Sequence, residues 1–270
     1  MSQTPHTYVH GHQPSVLRAH SWRTVENSAP HLLTHLLPGA SILDVGCGPG
    51  TITTDLADRV KPGEVIGIDA VEAVISRATA LLTDGTTPNC RFAVGDVYAL
   101  DFPDNRFDIV HAHQVLQHLK DPVAALAEMY RVTRPGGIIA VRDVDYGGMV
   151  WWPPDPMLTR WNELYHAICE ADAVFADGGR HLLFWLQTLD GIDIEMSSST
   201  WTFATPEMRA RWGIVWADRV RASHYASEAI KHGLSDPAEL NAIALAWLRW
   251  VDDAAGFFMV PHAQAIVTKR

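Results

Sequence analysis

The chain has 270 residues, 47% of them hydrophobic, and a formal net charge of −10. Such a length buries a full core in one domain of generous size, or in one domain carrying an insertion, and the acidic balance argues against a nucleic-acid partner, which wants a basic face. The cysteines, Cys47, Cys90 and Cys169, are too scattered for a disulfide framework or a zinc site and read as a reducing cytoplasm; no apolar run is long enough to span a membrane, and polar Met1 to Gln13 lack the core of a signal peptide.

In chain order, Met1–His20 holds His6, His10, His12, His20 and Tyr8. Their irregular spacing, with no acids between, reads as a solvated arm rather than a metal site. Ser21–Leu37 reads as a helix with Val25, Ala29, Leu32, Leu33 and Leu36 on one face, kinked or split at Pro30. Ile42, Leu43 and Val45 form the apolar run of a buried parallel strand. It stops abruptly at Gly46, Gly48 and Gly50, and a helix pattern with Ile52, Leu56 and Val60 on one stripe follows. A strand, a tight glycine turn and a helix start make a ligand site at the carboxyl end of a sheet. The loop has no Gly-Lys-Ser/Thr for a triphosphate, and its G-x-G-x-G spacing departs from the dinucleotide fingerprint. The acid before the first glycine, Asp44, suits a ligand bearing an ammonium group rather than an anion.

A second strand, Glu64–Asp69, ends in an acid about 20 residues beyond the glycine loop, the place from which a carboxylate reaches ribose hydroxyls. The plainer reading of Asp69 is a helix cap for Val71–Leu82. The third strand, Cys90–Val94, ends in Gly95-Asp96-Val97, where Asp96 alone reads as a turn residue. The fourth, Phe107–Ala112, runs into His113–His118. His111 and His113 share a side by period two, and His118 reads either as a structural histidine or as a general base. Asp121-Pro122 starts a helix through Ala125, Leu126, Met129 and Val132, closed by a turn at Arg134–Gly137. The fifth strand, Ile138–Asp143, delivers Asp143 and Asp145 to the same end of the sheet, where one carboxylate could take a proton or orient a histidine. Gly147–Gly191 then intervenes, opened by Trp151-Trp152-Pro153-Pro154, with helices over Pro156–Ala171 and Arg180–Leu189. The stripe Trp161, Leu164, Tyr165 and Ile168 reads equally as core or as the wall of a substrate pocket. Ile192–Ala204 is a sixth strand, helices start at Pro206 and Pro237, and Phe257–Val267 is the seventh strand.

Asp44-Val45-Gly46-Cys47-Gly48-Pro49-Gly50 resembles the first motif of class I S-adenosylmethionine (SAM) dependent methyltransferases, in the small-molecule branch that includes ubiquinone and menaquinone biosynthesis enzymes. The resemblance spans Leu36 to Tyr146, and the turn Arg134–Gly137 shares it. It implies an α/β fold: a doubly wound, seven-stranded Rossmann-like sheet with its last strand antiparallel, plus a helical insertion. The expected layout is an N-terminal arm and helix (1–37), a SAM-binding core (38–146), a lid or insertion (147–191) and the rest of the sheet with added helices (192–270). The implied activity is methyl transfer from SAM to a small organic acceptor, leaving S-adenosylhomocysteine, without a metal. The implied site has Asp44, Gly46, Cys47, Gly48 and Gly50 beside the methionine moiety, Asp69 and Ala70 at the ribose, and Asp96 and Val97 at the adenine. His113 and Gln114 border the methyl group, and His118, Asp143 and Asp145 are candidates for proton handling. Tyr8, His12 and Arg18 would reach the cofactor if the arm folds over it. The rival readings are an NAD-type oxidoreductase on a related fold and a non-catalytic SAM-binding protein. The tryptophan-rich helices offer a surface for a homodimer.

Overall fold

The computed structural model describes residues 22–82, 85 and 87–270. The histidine-rich arm, with Tyr8, His12 and Arg18, lies outside the described residues. Five parallel strands form the centre of one sheet: β1 (Ile42–Val45), β2 (Val65–Asp69), β3 (Cys90–Val94), β4 (Phe107–His113) and β5 (Thr133–Val144). Their order is β3-β2-β1-β4-β5, so the winding reverses between β1 and β4 and opens a crevice above the carboxyl ends.

Beyond β5 the sheet continues with β8 (Phe257–Lys269), which runs antiparallel to its neighbours, and β7 (Ile192–Phe203) outside it. The sheet has eight strands rather than the expected seven. The extra strand, β6 (Val150–Trp152), pairs with Phe257–Met259 of β8 just past the end of the β5 ladder. Three residues are too few to show a period in the sequence, and the Trp-Trp-Pro-Pro run masks them.

Helices cover both faces. On one, Leu43, Val110, Ile139, Val141 and Val267 pack with Leu126 and Met129 of α4 (Pro122–Val132) and with Leu182, Trp185 and Leu186 of α6 (Gly178–Leu186). On the other, Ile42, Val65, Ile109 and Ala140 pack with Val25 of α1 (Val25–Ser28) and with Ile52, Leu56 and Val60 of α2 (Thr51–Val60). Fully burying one such aliphatic side chain contributes about 1.5–3 kcal/mol. The helix expected over Ser21–Leu37 is split at Pro30 as its sequence predicts: α1 stops at Ser28, and Pro30–His35 is a 3₁₀ turn. Pro30 supplies no N–H and disfavours helical geometry at Ala29, which sits at φ −138°. The Arg134–Gly137 turn is drawn inside β5 as a bulge, because the register runs Phe107–Thr133 and resumes only at Ile109–Ile138.

The remaining helices build a cap with its own core. Trp161 and Tyr165 of α5 (Pro156–Ala171), Trp216 of α7 (Pro206–Ala222), Tyr225 of α8 (His224–Lys231) and Trp247 of α9 (Pro237–Asp252) are all buried against Phe203 and Phe258. The α5 stripe is therefore core packing. The intervening segment does not act as one unit: α5 joins the aromatic cap, whereas α6 packs beneath the sheet with α4. No helix among the described residues is long and apolar enough to cross a membrane.

Candidate functional site

The crevice begins with the turn after β1. Cys47 N–H donates to Ile68 O at 2.9 Å, and Gly50 N–H to Cys47 O at 3.1 Å, which ties the loop to β2 and to itself. Gly46, Gly48 and Gly50 all adopt positive φ, between 54° and 85°. Only glycine holds that conformation without strain, and the two later positions need it for different reasons. A Cβ on Gly48 would meet nothing within 4 Å, so its backbone is open to a ligand. A Cβ on Gly50 would stand 2.6 Å from the Phe92 ring, so this residue serves packing. Gly50 does not line the cleft.

Three acids from successive strand ends border one continuous cleft: Asp44 of β1, Asp69 of β2 and Asp96 after β3. Asp44 is buried and accepts from Thr53 Oγ1 at 2.6 Å and from His111 Nδ1 at 2.7 Å. Asp69 accepts from Gly48 N–H at 3.2 Å and from Val71 N–H at 3.0 Å, so it fixes the glycine loop and the start of α3 (Glu72–Ala80) together. Asp96 accepts from Tyr98 N–H at 2.9 Å. Asp96 thus has the turn duty that its plain reading gave it, Asp69 holds Val71 N–H just ahead of α3 rather than capping it, and all three acids line the cleft. Gly46, Cys47, Ala70 and Val97 line the same space. The Cys47 thiol is pushed far up by burial and then by Asp44 and Asp69, so it is not a nucleophile at neutral pH.

The opposite wall comes from the end of β4: His113, Gln114, Val115, His118 and Leu119. Gln114 has φ 55°, an unfavourable conformation for this residue, and three hydrogen bonds hold it there. Its N–H donates to Arg142 O at 2.7 Å, its Oε1 accepts from Arg23 Nη2 at 2.7 Å, and its Nε2 meets His262 Nε2 at 2.8 Å. His262 Nδ1 lies 3.0 Å from Val260 O and must donate there, so its Nε2 accepts from the Gln114 amide. His113 is buried, and neither ring nitrogen has a hydrogen-bond partner among the described residues. Burial, then Arg23, Arg142 and His262, hold its imidazole well below the ordinary range, hence neutral.

The candidate proton-handling groups separate. His118 lines the cleft, but burial and then Arg23 and Arg219 press it down to about 3. Its Nε2 is 3.0 Å from the Gln117 amide nitrogen, whose oxygen is committed to Val144 N–H at 3.1 Å, so the imidazole lone pair already accepts from Gln117. A base needs that lone pair available, and this arrangement withholds it. Asp143 and Asp145 do not line the cleft. Asp143 is fully buried and accepts from Gln117 N–H at 3.3 Å, and it steadies the turn that carries His118. Burial pushes its carboxyl up to about 7, against the pull of the Gln117 N–H and Arg142. Asp145 caps the Tyr146–Gly148 turn through Gly148 N–H and pairs with Arg180 at 2.6 Å.

Sequence reasoning missed Arg23, which lines the cleft and lies with its guanidinium 5.3 Å from the Trp201 ring centre. Its partners Gln114 and Trp201 lie 91 residues and more along the chain, distances that no local pattern reveals. Among the described residues, Asp172, His224 and Glu228 bring metal-ligating atoms within 4.8 Å of one another. They sit in the helical cap, outside the cleft, where Lys231 and His232 already pair with Glu228.

Comparison with known proteins places this geometry. A family model described as a methyltransferase domain matches residues 36–202. The chain is 34% identical, over 97% of its own length and 96% of the relative's, to an uncharacterised methyltransferase of Schizosaccharomyces pombe. It is 28% identical, over 79% of its length and 65% of the relative's, to a 2-methyl-6-phytyl-1,4-hydroquinone methyltransferase of Synechocystis. Among solved structures, a phosphoethanolamine N-methyltransferase of Haemonchus contortus, in complex with phosphomonomethylethanolamine and S-adenosylhomocysteine, superposes with a TM-score of 0.57. That superposition covers 95% of this chain and 58% of the other at 16% identity, and it speaks to the fold alone.

Proposed function

The chain belongs to the methyltransferase domain family, and from that premise we propose that the cleft between the glycine loop and the end of β4 binds SAM and presents its methyl group to a small organic acceptor. The observation that carries the reading is the convergence of Asp44, Asp69 and Asp96 on one cleft beside an open glycine backbone. The donor set fits this cofactor. The buried charge of Asp44 faces the ammonium end, and the exposed N–H and C=O groups around Gly48 run along the methionine chain. The Asp69 carboxylate borders the cleft at the end of β2, where it would accept from the ribose hydroxyls. Asp96 accepts from the adenine amino group while the Val97 N–H donates to a ring nitrogen.

Bound there, SAM supplies a methyl carbon already made electrophilic by the positive sulfur. What remains for the protein is alignment, exclusion of water and care of the acceptor's proton. Alignment falls to the braced Gln114 and to Val115 at the end of β4. On the cleft wall His113 has both ring nitrogens unpartnered among the described residues, and because burial, Arg23 and Arg142 hold it neutral it can share a hydrogen bond with the acceptor rather than take its proton. Relatives named for a hydroquinone, for trans-aconitate and for cycloartenol show that the family tolerates very different acceptors. Three free, buried cysteines and a net charge of −10 support a cytoplasmic protein with a small-molecule acceptor. The apolar residues exposed on the cap, Ile214, Ile230 and Leu245, are the surface for any homodimer.

A thermal-unfolding series tests the cofactor assignment. SAM and S-adenosylhomocysteine are expected to raise Tm in a concentration-dependent way, and NAD to leave it unchanged. A rise with NAD alone would move the chain to the oxidoreductase reading.

A further inference from the structure

Next to the cleft, the sheet carries a buried cation that no group among the described residues neutralises. Arg142 of β5 stands opposite His113 of β4 and Gln264 of β8, and residues opposed in this way project on one face. It is fully buried. Its Nε donates to Ser199 Oγ at 3.1 Å, while Nη1 and Nη2 have no hydrogen-bond partner among the described residues. The guanidinium lies 5.0 Å from the centre of the Trp201 ring, the same ring that Arg23 covers from the cleft. Among the described residues no carboxylate pairs with Arg142. Its chain neighbour Asp143 points to the opposite face by strand alternation and is engaged with Gln117. Burial, reinforced by Arg23, presses the Arg142 guanidinium down to about 9, against the pull of Asp143. A buried charge without a partner is costly, and two parallel N–H donors left empty match an oxyanion.

We infer that Arg142, with unpartnered His113 between it and the cleft, anchors an oxyanion of the methyl acceptor, a carboxylate or an ionised phenol or enol. The inference rests on the cleft being the SAM site and adds the acceptor's charge. It predicts discrimination: a protonated amine would meet Arg142 and Arg23 and be rejected, whereas an acid or acidic phenol would be held beside His113. The same donors could serve the carboxylate of SAM itself, so a test must separate the two sources.

The probe is formate, with formamide as its neutral counterpart, titrated at constant ionic strength into protein saturated with S-adenosylhomocysteine. Formate is expected to raise Tm by roughly 2–4 °C at saturating concentration, and formamide to do nothing. In Arg142→Gln the formate response disappears while the SAM Kd, from calorimetry, stays within about threefold of wild type; in Arg142→Lys part of the response returns. Identical behaviour of formate and formamide on the wild type overturns the inference, and that comparison needs no variant to fold. So does a formate response that survives in Arg142→Gln. A loss of tenfold or more in SAM affinity in that variant also overturns it, by giving the anion site to the cofactor. A wild type that fails to bind SAM at all sinks the cofactor reading instead.

Discussion

The two walls of the cleft are built in opposite ways. The wall of Asp44, Gly48, Asp69 and Asp96 comes from consecutive strand ends, and each acid has a local partner, Tyr98 for Asp96, Val71 for Asp69 and Thr53 for Asp44, beside the cross-strand bonds of Asp44 with His111 and of Asp69 with Gly48. The facing wall sets Arg23 beside His113 and Gln114, and the groups that brace it from behind, Arg142, Trp201 and His262, come from three further strands. A cofactor common to a family is met by a short, self-contained stretch of sequence. An acceptor that differs from one member to the next is met by residues that only the finished fold brings together.

The sharpest way to break this comparison is to deform the local wall. Gly50→Val forces a side chain into positive φ and into the Phe92 ring, and is expected to cost roughly 2–4 kcal/mol in urea unfolding. Next in size is Asp69→Ala. Losing a charge-assisted contact to ribose is worth about 1.5–3 kcal/mol, or roughly 10- to 150-fold in the SAM Kd, with the fold retained by circular dichroism.

A smaller effect comes from pH. His118 has its pKa lowered in the folded state to about 3 from an ordinary 6.5, so the unfolded chain takes up the proton first. Stability is unaffected above that ordinary value and falls as pH drops from 6.5 towards 3. His118→Gln keeps an acceptor for the Gln117 amide and cannot titrate, so its acid-side fall in Tm, followed by scanning calorimetry, is expected to be shallower than wild type. Asp143 works in the reverse sense, since its raised pKa makes folding less favourable as pH climbs from the ordinary carboxylate range to about 7. Asp143→Asn should therefore gain stability relative to wild type near neutrality and lose that advantage in acid. The smallest effect is expected from His113→Ala, which should alter the SAM Kd by less than about threefold if the imidazole serves the acceptor, as proposed.

The same division explains what could be read from the sequence. The glycine loop, the acids after β2 and β3, and the caps Asp121-Pro122 and Asp236-Pro237 are short-range features, and the elements they mark are present in the fold. Pro30 was legible as a break. By contrast, β6 exists only because the end of β8 has an unpaired edge beyond Val144, and α8 follows α7 across a single Ser223 cap that interrupts the helical period. Asp143 and Asp145 looked like active-site acids because they end a strand. The side on which a strand-end carboxylate is spent depends on Gln117 and Arg180, which the sequence does not place. Gly50 belongs to the motif and yet faces Phe92, a contact with β3. The tryptophans beyond residue 150 announced an aromatic cluster, but only the packing of α5, α7 and α9 on Phe258 shows it to be core.

Calorimetric titration of SAM into wild type, Asp69→Ala and His113→Ala, side by side, tests the central claim most directly. A cleft divided into a cofactor wall and an acceptor wall predicts tight binding to the wild type, a loss of at least tenfold in the first variant and near-unchanged affinity in the second. Unchanged affinity in a folded Asp69→Ala protein, or an equal loss in both variants, would contradict it.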